Sequence, residues 1–394
     1  MKSFLKTLPA ALCCALLIFM TGPSPAAANP ATDPIVDELR GDLDLGYFDR
    51  YWGELEEEAR RYMPELSPEG LMERVRSGER LFDPAELFSG IGRFFFGEVL
   101  LNFKLMGQLL LLAVAASFLK NLESAFERRQ VATLTRSIVF LVLLGICLFS
   151  FKAVLQLAGK TIDNMVDFSL ASLPALTALL AAQGSVVSSA LFHPLIVFGI
   201  NFFGTFISRV IFPLIFFSAV LGLVDHFSPH FKVSRLSDLF KELSTWALGI
   251  SMTVFVGILT VQGAAGTVAD AVSLRTAKYM TGAFIPVVGK VLSDAVETVA
   301  GASIILKNSI YLTGVALLLL LTLFPLLKVA AIALIYKLSA ALVEPLGEGD
   351  LGSCINVMGN SLVLILAALA SVGVIFFLAV TALVGAGNIA IMFR

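Results

Sequence analysis

Residues 361–385 run for twenty-five positions without one charged side chain. A helix needs about 20 apolar residues to cross the hydrocarbon core of a bilayer, and this run supplies them. Comparable apolar stretches lie near 97–119, 137–159 and 243–261. Within lipid every backbone polar group must be satisfied inside its own segment, so such stretches fold as helices. The expected fold is therefore an all-α, polytopic integral membrane protein. The composition agrees: 57% of residues are hydrophobic, 15% are charged and the mean hydropathy is +0.88. Soluble domains carry roughly 25% charged residues. The runs 191–225 and 303–343 are too long for one crossing, and each has a proline near its middle. Both read as tight hairpins, turning at Pro213 and Pro325. That reading gives roughly seven to nine crossings.

The N-terminus reads as a signal peptide over 1–28. Lys2 and Lys6 form a basic start, Leu8 to Met20 a short apolar core, and Ala26-Ala27-Ala28 a cleavage site. The alternative is an uncleaved first membrane helix. Cleavage puts residue 29 on the outer side. Residues 29–92 hold sixteen Asp and Glu against seven Arg and no Lys, an acidic extracytoplasmic segment with short helical patterns. Its aromatic cluster of Tyr47, Phe48, Tyr51 and Trp52 packs on the small helices or the membrane surface, or docks another extracytoplasmic protein. Residues 93–160 read as two membrane helices joined by a loop in which Lys120, Arg128, Arg129 and Arg136 outnumber Glu123 and Glu127. The positive-inside rule makes that loop cytoplasmic. By the same logic the acidic stretch 344–360 leans outside.

From 161 the chain reads as written twice, as 161–261 and 262–394. Leu173-Pro174 matches Ile285-Pro286, and Phe212-Pro213-Leu214-Ile215 matches Phe324-Pro325-Leu326-Leu327. Shared prolines on an apolar background can also arise by chance. Membrane transport folds use such paired repeats, with broken helices near the midplane. Pro174, Pro213, Pro286 and Pro325 are the candidate breaks, because an interior proline removes a helix hydrogen bond; plain kinks are the alternative. Whether the copies are parallel or inverted stays open.

The stretch 262–308 is the most polar part of the second copy. From Val288 to Leu306 the apolar positions recur at helical spacing and leave Lys290, Asp294 and Glu297 on the opposite face. With Arg275 and Lys278 these form a surface that lipid does not accept. It lines a polar path or grips a partner. The corresponding positions of the first copy are Ala178, Ala182 and Ser185.

No catalytic, cofactor-binding or metal-binding residue is assigned, and the chain reads as not an enzyme. The phosphate-loop, nucleophile-elbow and zinc-protease motifs do not occur in the sequence. Asp225, His226 and His230 share one loop, but Ser228-Pro229 interrupts helical presentation. Cys147 and Cys354 are too few and too scattered for a zinc site, though copies could pair through them. Nothing resembles a basic patch for nucleic acid. Of the charges within apolar runs, Lys104 and Lys328 read as snorkelling from helix ends. For Lys152 a polar pathway and snorkelling both stay open, and Arg209 sits at a hairpin end or inside the bundle.

The run VQGAAGTVADAVSLRTAKYMTGAFIPVVGKVLSDAVETVAGASIILKN, preceded by SSALFHPLIVF and followed by FPLLKVAAIALIYKLSAALVEPLG, strongly resembles the stage III sporulation protein AE family. The likeness extends from the leader to the terminal MFR and is loosest over 29–92. It implies a membrane component, export-gate or permease-like, of the channel complex joining mother cell and forespore. It implies a place in the mother-cell-derived outer forespore membrane and a need for the protein in late forespore development. It also implies partners from the same complex: a cytoplasmic ATPase-like subunit and extracytoplasmic ring subunits. A non-conducting scaffold and a free-standing secondary transporter are the alternatives.

Overall fold

The computed structural model describes residues 46–54, 70, 72, 74, 84–126, 129–182, 185–227, 232–284, 288–347 and 349–392. The expected signal peptide and most of the acidic segment lie outside them. Every described element is helical. In order these are α1 (Gly46–Glu54), α2 (Pro84–Leu101), α3 (Phe103–Phe126), α4 (Arg129–Ala182) and α5 (Val186–Phe206). A π-helical turn (Ile207–Ile211) leads into α6 (Phe212–Phe227), followed by α7 (Ser234–Phe284) and α8 (Val288–Val343). A 3-10 turn (Glu344–Leu346) then leads to α9 (Gly349–Met392). Among the described residues six apolar stretches are long enough to cross a membrane: Phe88–Leu119, Ser137–Ala182, Val186–His226, Ser234–Asp270, Leu306–Leu346 and Gly349–Gly385.

Among the described residues the two expected hairpins are absent, and six stretches are long and apolar enough to cross. The chain stays helical through Pro325 inside α8 and through Pro174 inside α4. At Pro213 the five-residue π turn takes up the disturbance just before the proline, and α6 continues the same helix. Pro194 likewise lies inside α5. The physical reason is that a membrane helix keeps its remaining bonds where no water competes for them. One lost donor is absorbed locally. Pro286 lies outside the described residues.

Contacts fix the direction of each span. Thr322 Oγ1 donates to Met165 Sδ at 3.3 Å, joining α8 to α4. Gly204 on α5 faces Val166 and Ile162 of α4. Further along α4, Ser150 meets Tyr336 of α8 and Phe151 packs near Phe216 of α6, so the α5–α6 span and α8 both run against α4 and parallel to each other. Gly199 and Ser188 meet Phe255 and Gly266, while Thr322 and Lys337 meet Gly373 and Gly359, so α7 and α9 run against them and are also parallel. Two duplicated copies would therefore be parallel, not inverted.

One more expectation needs correction. Ser117 Oγ donates to the carbonyl of Leu346 at 2.9 Å, so the turn after α8 lies on the same side as the basic 120–136 stretch, which was expected as a loop and is carried on the end of α3 and the start of α4. The acidic stretch cannot be outside while that basic stretch is inside. It is also mostly helix, because Gly347, at φ 83°, ends the 3-10 turn and α9 begins at Gly349. The left-handed conformation there is one that glycine adopts without penalty.

The core runs the length of α4, α8 and α9. Gly373 lies so close to α8 that a Cβ would meet Thr322 Cγ2 at 2.7 Å. Such close approach is how helices associate in lipid, where no hydrophobic drive pulls them together. Amphipathic α1 closes one end. Phe48 is 1% exposed and its ring meets Phe168 of α4 edge-on at 6.1 Å. Tyr51 meets the same ring at 5.4 Å. The cluster thus packs on the chain's own membrane helices, a partner that neither reading of it had named.

Candidate functional site on the membrane bundle

The α2–α3 span docks against α8 through Phe94 and Phe324, whose ring centroids are 4.8 Å apart. One turn further, Lys328 Nζ lies 3.6 Å from Glu98 Oε1, with side chains 19% and 8% exposed. Next come Val99, Ala331 and Ile335, which form a small apolar cluster. Lys328 does not snorkel. It sits well inside the Leu306–Leu346 span, roughly 27 Å along the helix from its Leu346 end. The continuous helix through Pro325 removed the end from which it was expected to reach. A buried charge at such depth is stable only when paired. The partner, Glu98, was not singled out from the sequence, since it lies on a different span 230 positions away.

Just past Glu98 the span is interrupted. Asn102 Nδ2 donates to the Glu98 carbonyl at 2.8 Å. Its backbone N–H is shared between the carbonyls of Glu98 and Val99. A side chain that bonds the preceding turn competes with the helix ladder, and α2 ends there. Lys104 is exposed beside this break, in the middle of the Phe88–Leu119 span, not at its edge.

The outward surface of the bundle carries further polar side chains. On α4, Lys152, Gln156, Lys160, Asp163 and Asp167 are all exposed. Their spacing of four, four, three and four puts them on one helix face. On the α5 span, Asn201, Thr205 and Arg209 are exposed at spacing four. Arg209 is thus neither at a hairpin end nor inside the bundle. It projects outward from the π turn. Only Lys152 and Arg209 had been noticed as isolated charges. The stripes stay hidden in the sequence until continuous helices set their register.

At the end of the bundle shared with the 120–136 stretch, a cavity of about 120 Å³ is lined by Ser218, Asp225, His226, Asp238, Lys241 and Asn360, among others. Asp225 Oδ1 accepts the backbone N–H groups of Val233 and Ser234, each at 2.8 Å, and so caps α7. His226 Nδ1 is 2.8 Å from the Gly222 carbonyl. These two residues serve the local backbone; His230 lies outside the described residues. Nearby, Lys337 Nζ donates to Asn356 Oδ1 at 2.7 Å and also to Asn360 Oδ1. Cys147 and Cys354 are both buried, so they cannot join copies through the surface.

Asp270 is the described acidic residue of the central stretch. It is fully buried. Its carboxylate accepts the N–H groups of Val187 at 3.0 Å and Ser188 at 3.2 Å, capping α5 from the far end of the Ser234–Asp270 span. An anion at a helix N-terminus is favoured by the unpaired amides and the helix dipole. Of the expected polar surface, Arg275 and Lys278 fall on the last turns of α7. Lys290, Asp294 and Glu297 fall on the first turns of α8. The helical spacing read from Val288 onward is borne out by α8. The five side chains lie outside the described residues. All five positions are on helix.

The sequence profile of the family described as Stage III sporulation protein AE matches residues 66–387. Stage III sporulation protein AE of Bacillus subtilis (strain 168) is 39% identical over 362 residues, which is 92% of this chain and 90% of that protein. No solved structure matches. A match of this extent covers every membrane span described above, and the chain belongs to the stage III sporulation protein AE family.

Proposed function

We propose that this integral membrane protein is the export-gate or permease-like component of an apparatus linking mother cell and forespore. It would sit in the outer forespore membrane, beside a cytoplasmic ATPase-like subunit and extracytoplasmic ring subunits. Family membership supports the setting in sporulation. The observation that carries the transport reading is the Glu98–Lys328 pair at mid-span, 3.6 Å apart. Ionisable groups at that depth mark polar pathways far more often than they serve stability alone. Arg275, Lys278, Lys290, Asp294 and Glu297 would add a further polar surface where α7 ends and α8 begins.

A second reading has one observation in its favour. Those five residues fall on the last turns of α7 and the first turns of α8, where a docking face for ring subunits fits as well as the mouth of a path. A non-conducting scaffold would use them that way. Replacing Lys290, Asp294 and Glu297 together with Ala separates the two. A transport component keeps the complex assembled, by co-purification from sporulating cells, and loses late forespore gene expression. A scaffold loses assembly. Assembly and gene expression both intact would exclude this surface from either role.

A further inference from the structure

The two outward-facing polar stripes lie at the same depth, and this has a consequence for assembly. Gly204 on α5 faces Ile162 and Val166 of α4, so its neighbour Thr205 is level with Asp163. Further along, Phe216 packs near Phe151, their centroids 6.0 Å apart, so Arg209 falls level with the turn around Lys160. Asn201, one turn the other way, is level with Asp167. One stripe thus presents Asp167, Asp163 and Lys160 where the other presents an amide, a hydroxyl and a guanidinium. Side chains tilt toward their helix N-terminus, and the two helices are antiparallel. The tilt carries the Arg209 guanidinium and the Asp163 carboxylate toward each other in depth. Lys160, three residues before Asp163, is within reach of that carboxylate along its own helix.

Lipid accepts neither stripe, because both contain charges on the outer surface of spans Ser137–Ala182 and Val186–His226. We propose that they cover each other between copies: the Lys160–Asp163–Asp167 face of one chain packs on the Asn201–Thr205–Arg209 face of the next. Identical chains share one membrane orientation, so the depth match is kept in every neighbour. The two faces differ, which makes the contact heterologous. Repetition of such a contact closes into a ring where the rotation allows it. This inference does not rest on the transport reading.

The test is disulfide cross-linking in native membranes, in a chain carrying Cys147→Ala and Cys354→Ala. With Asp163→Cys and Thr205→Cys on the same chain, oxidation is expected to give a ladder of multimers. With the two substitutions on separate, co-expressed chains it is expected to stop at dimers. Absence of cross-links, or efficient cross-linking of either single variant to itself, overturns the proposal. The mass of the unaltered protein, extracted with its lipid in a polymer disc, guards against a folding defect in the variants. Several copies per disc are expected, and one copy per disc overturns the proposal.

Discussion

Removing the lysine of the mid-span pair is the most informative single perturbation. At 3.6 Å and an effective dielectric of about 20, the attraction between the two charges is about 5 kcal/mol. Taking each ion out of water costs several kcal/mol, so the intact pair adds little net stability over two apolar residues. Truncating one partner is different, since the other keeps its desolvation cost and loses this ion pair. Lys328→Met should therefore destabilise the protein by about 3–5 kcal/mol. Glu98→Leu with Lys328→Met should recover most of that loss, to within about 1 kcal/mol of the unaltered chain. The assay is unfolding in mixed micelles titrated with SDS, followed by loss of helical circular dichroism, with all four members of the double-mutant cycle. Equal destabilisation of the single and double variants would refute the reasoning, as would a Lys328→Met variant as stable as the parent. The recovered double variant also serves as a functional probe. If the pair belongs to a path, it should fold and still fail to support sporulation.

Three further outcomes follow from particular contacts. Asp270→Ala should cost about 1 kcal/mol by uncapping α5, read as faster hydrogen exchange at Val187 and Ser188, with Asp270→Asn losing less. Gly373→Val should push α9 off Thr322, where even a Cβ would come within 2.7 Å. Such overpacking costs about 1–3 kcal/mol, seen as a lower SDS midpoint. Phe48→Ala removes a fully buried ring and should cost about 3–5 kcal/mol. That exceeds what so short a helix can hold alone, so proteolysis should reach α1 first while the spans stay intact.

Much of the architecture was legible because hydrophobic length is a strong signal. The all-helical membrane fold and the helix opening at Val288 could be read from the sequence. Side-chain periodicity says nothing about where a long apolar helix turns, and there the reading failed. Prolines 213 and 325 look like turns in a soluble chain, but in lipid the lost bond is absorbed by a π turn or a kink. That single misreading displaced Lys328 to a helix end and Arg209 to a hairpin tip. It also hid the alignment of Lys160, Asp163 and Asp167 with Arg209. Glu98 was illegible for another reason. It gains its meaning only from Lys328, a contact between spans that no local pattern encodes. The acidic turn around Glu344 shows the limit of charge counting. Acidic residues contribute little to orientation, and Ser117 places that turn beside the basic stretch.

Cysteine accessibility along 286–300 in sporulating cells, in the background lacking Cys147 and Cys354, tests the transport role most directly. A polar path predicts labelling by a membrane-impermeant maleimide at 290, 294 and 297, with protection at 291, 292 and 295, whether or not the other proteins of the apparatus are made. Protection of 290, 294 and 297 that depends on those proteins would contradict the path and make the same helix a docking face.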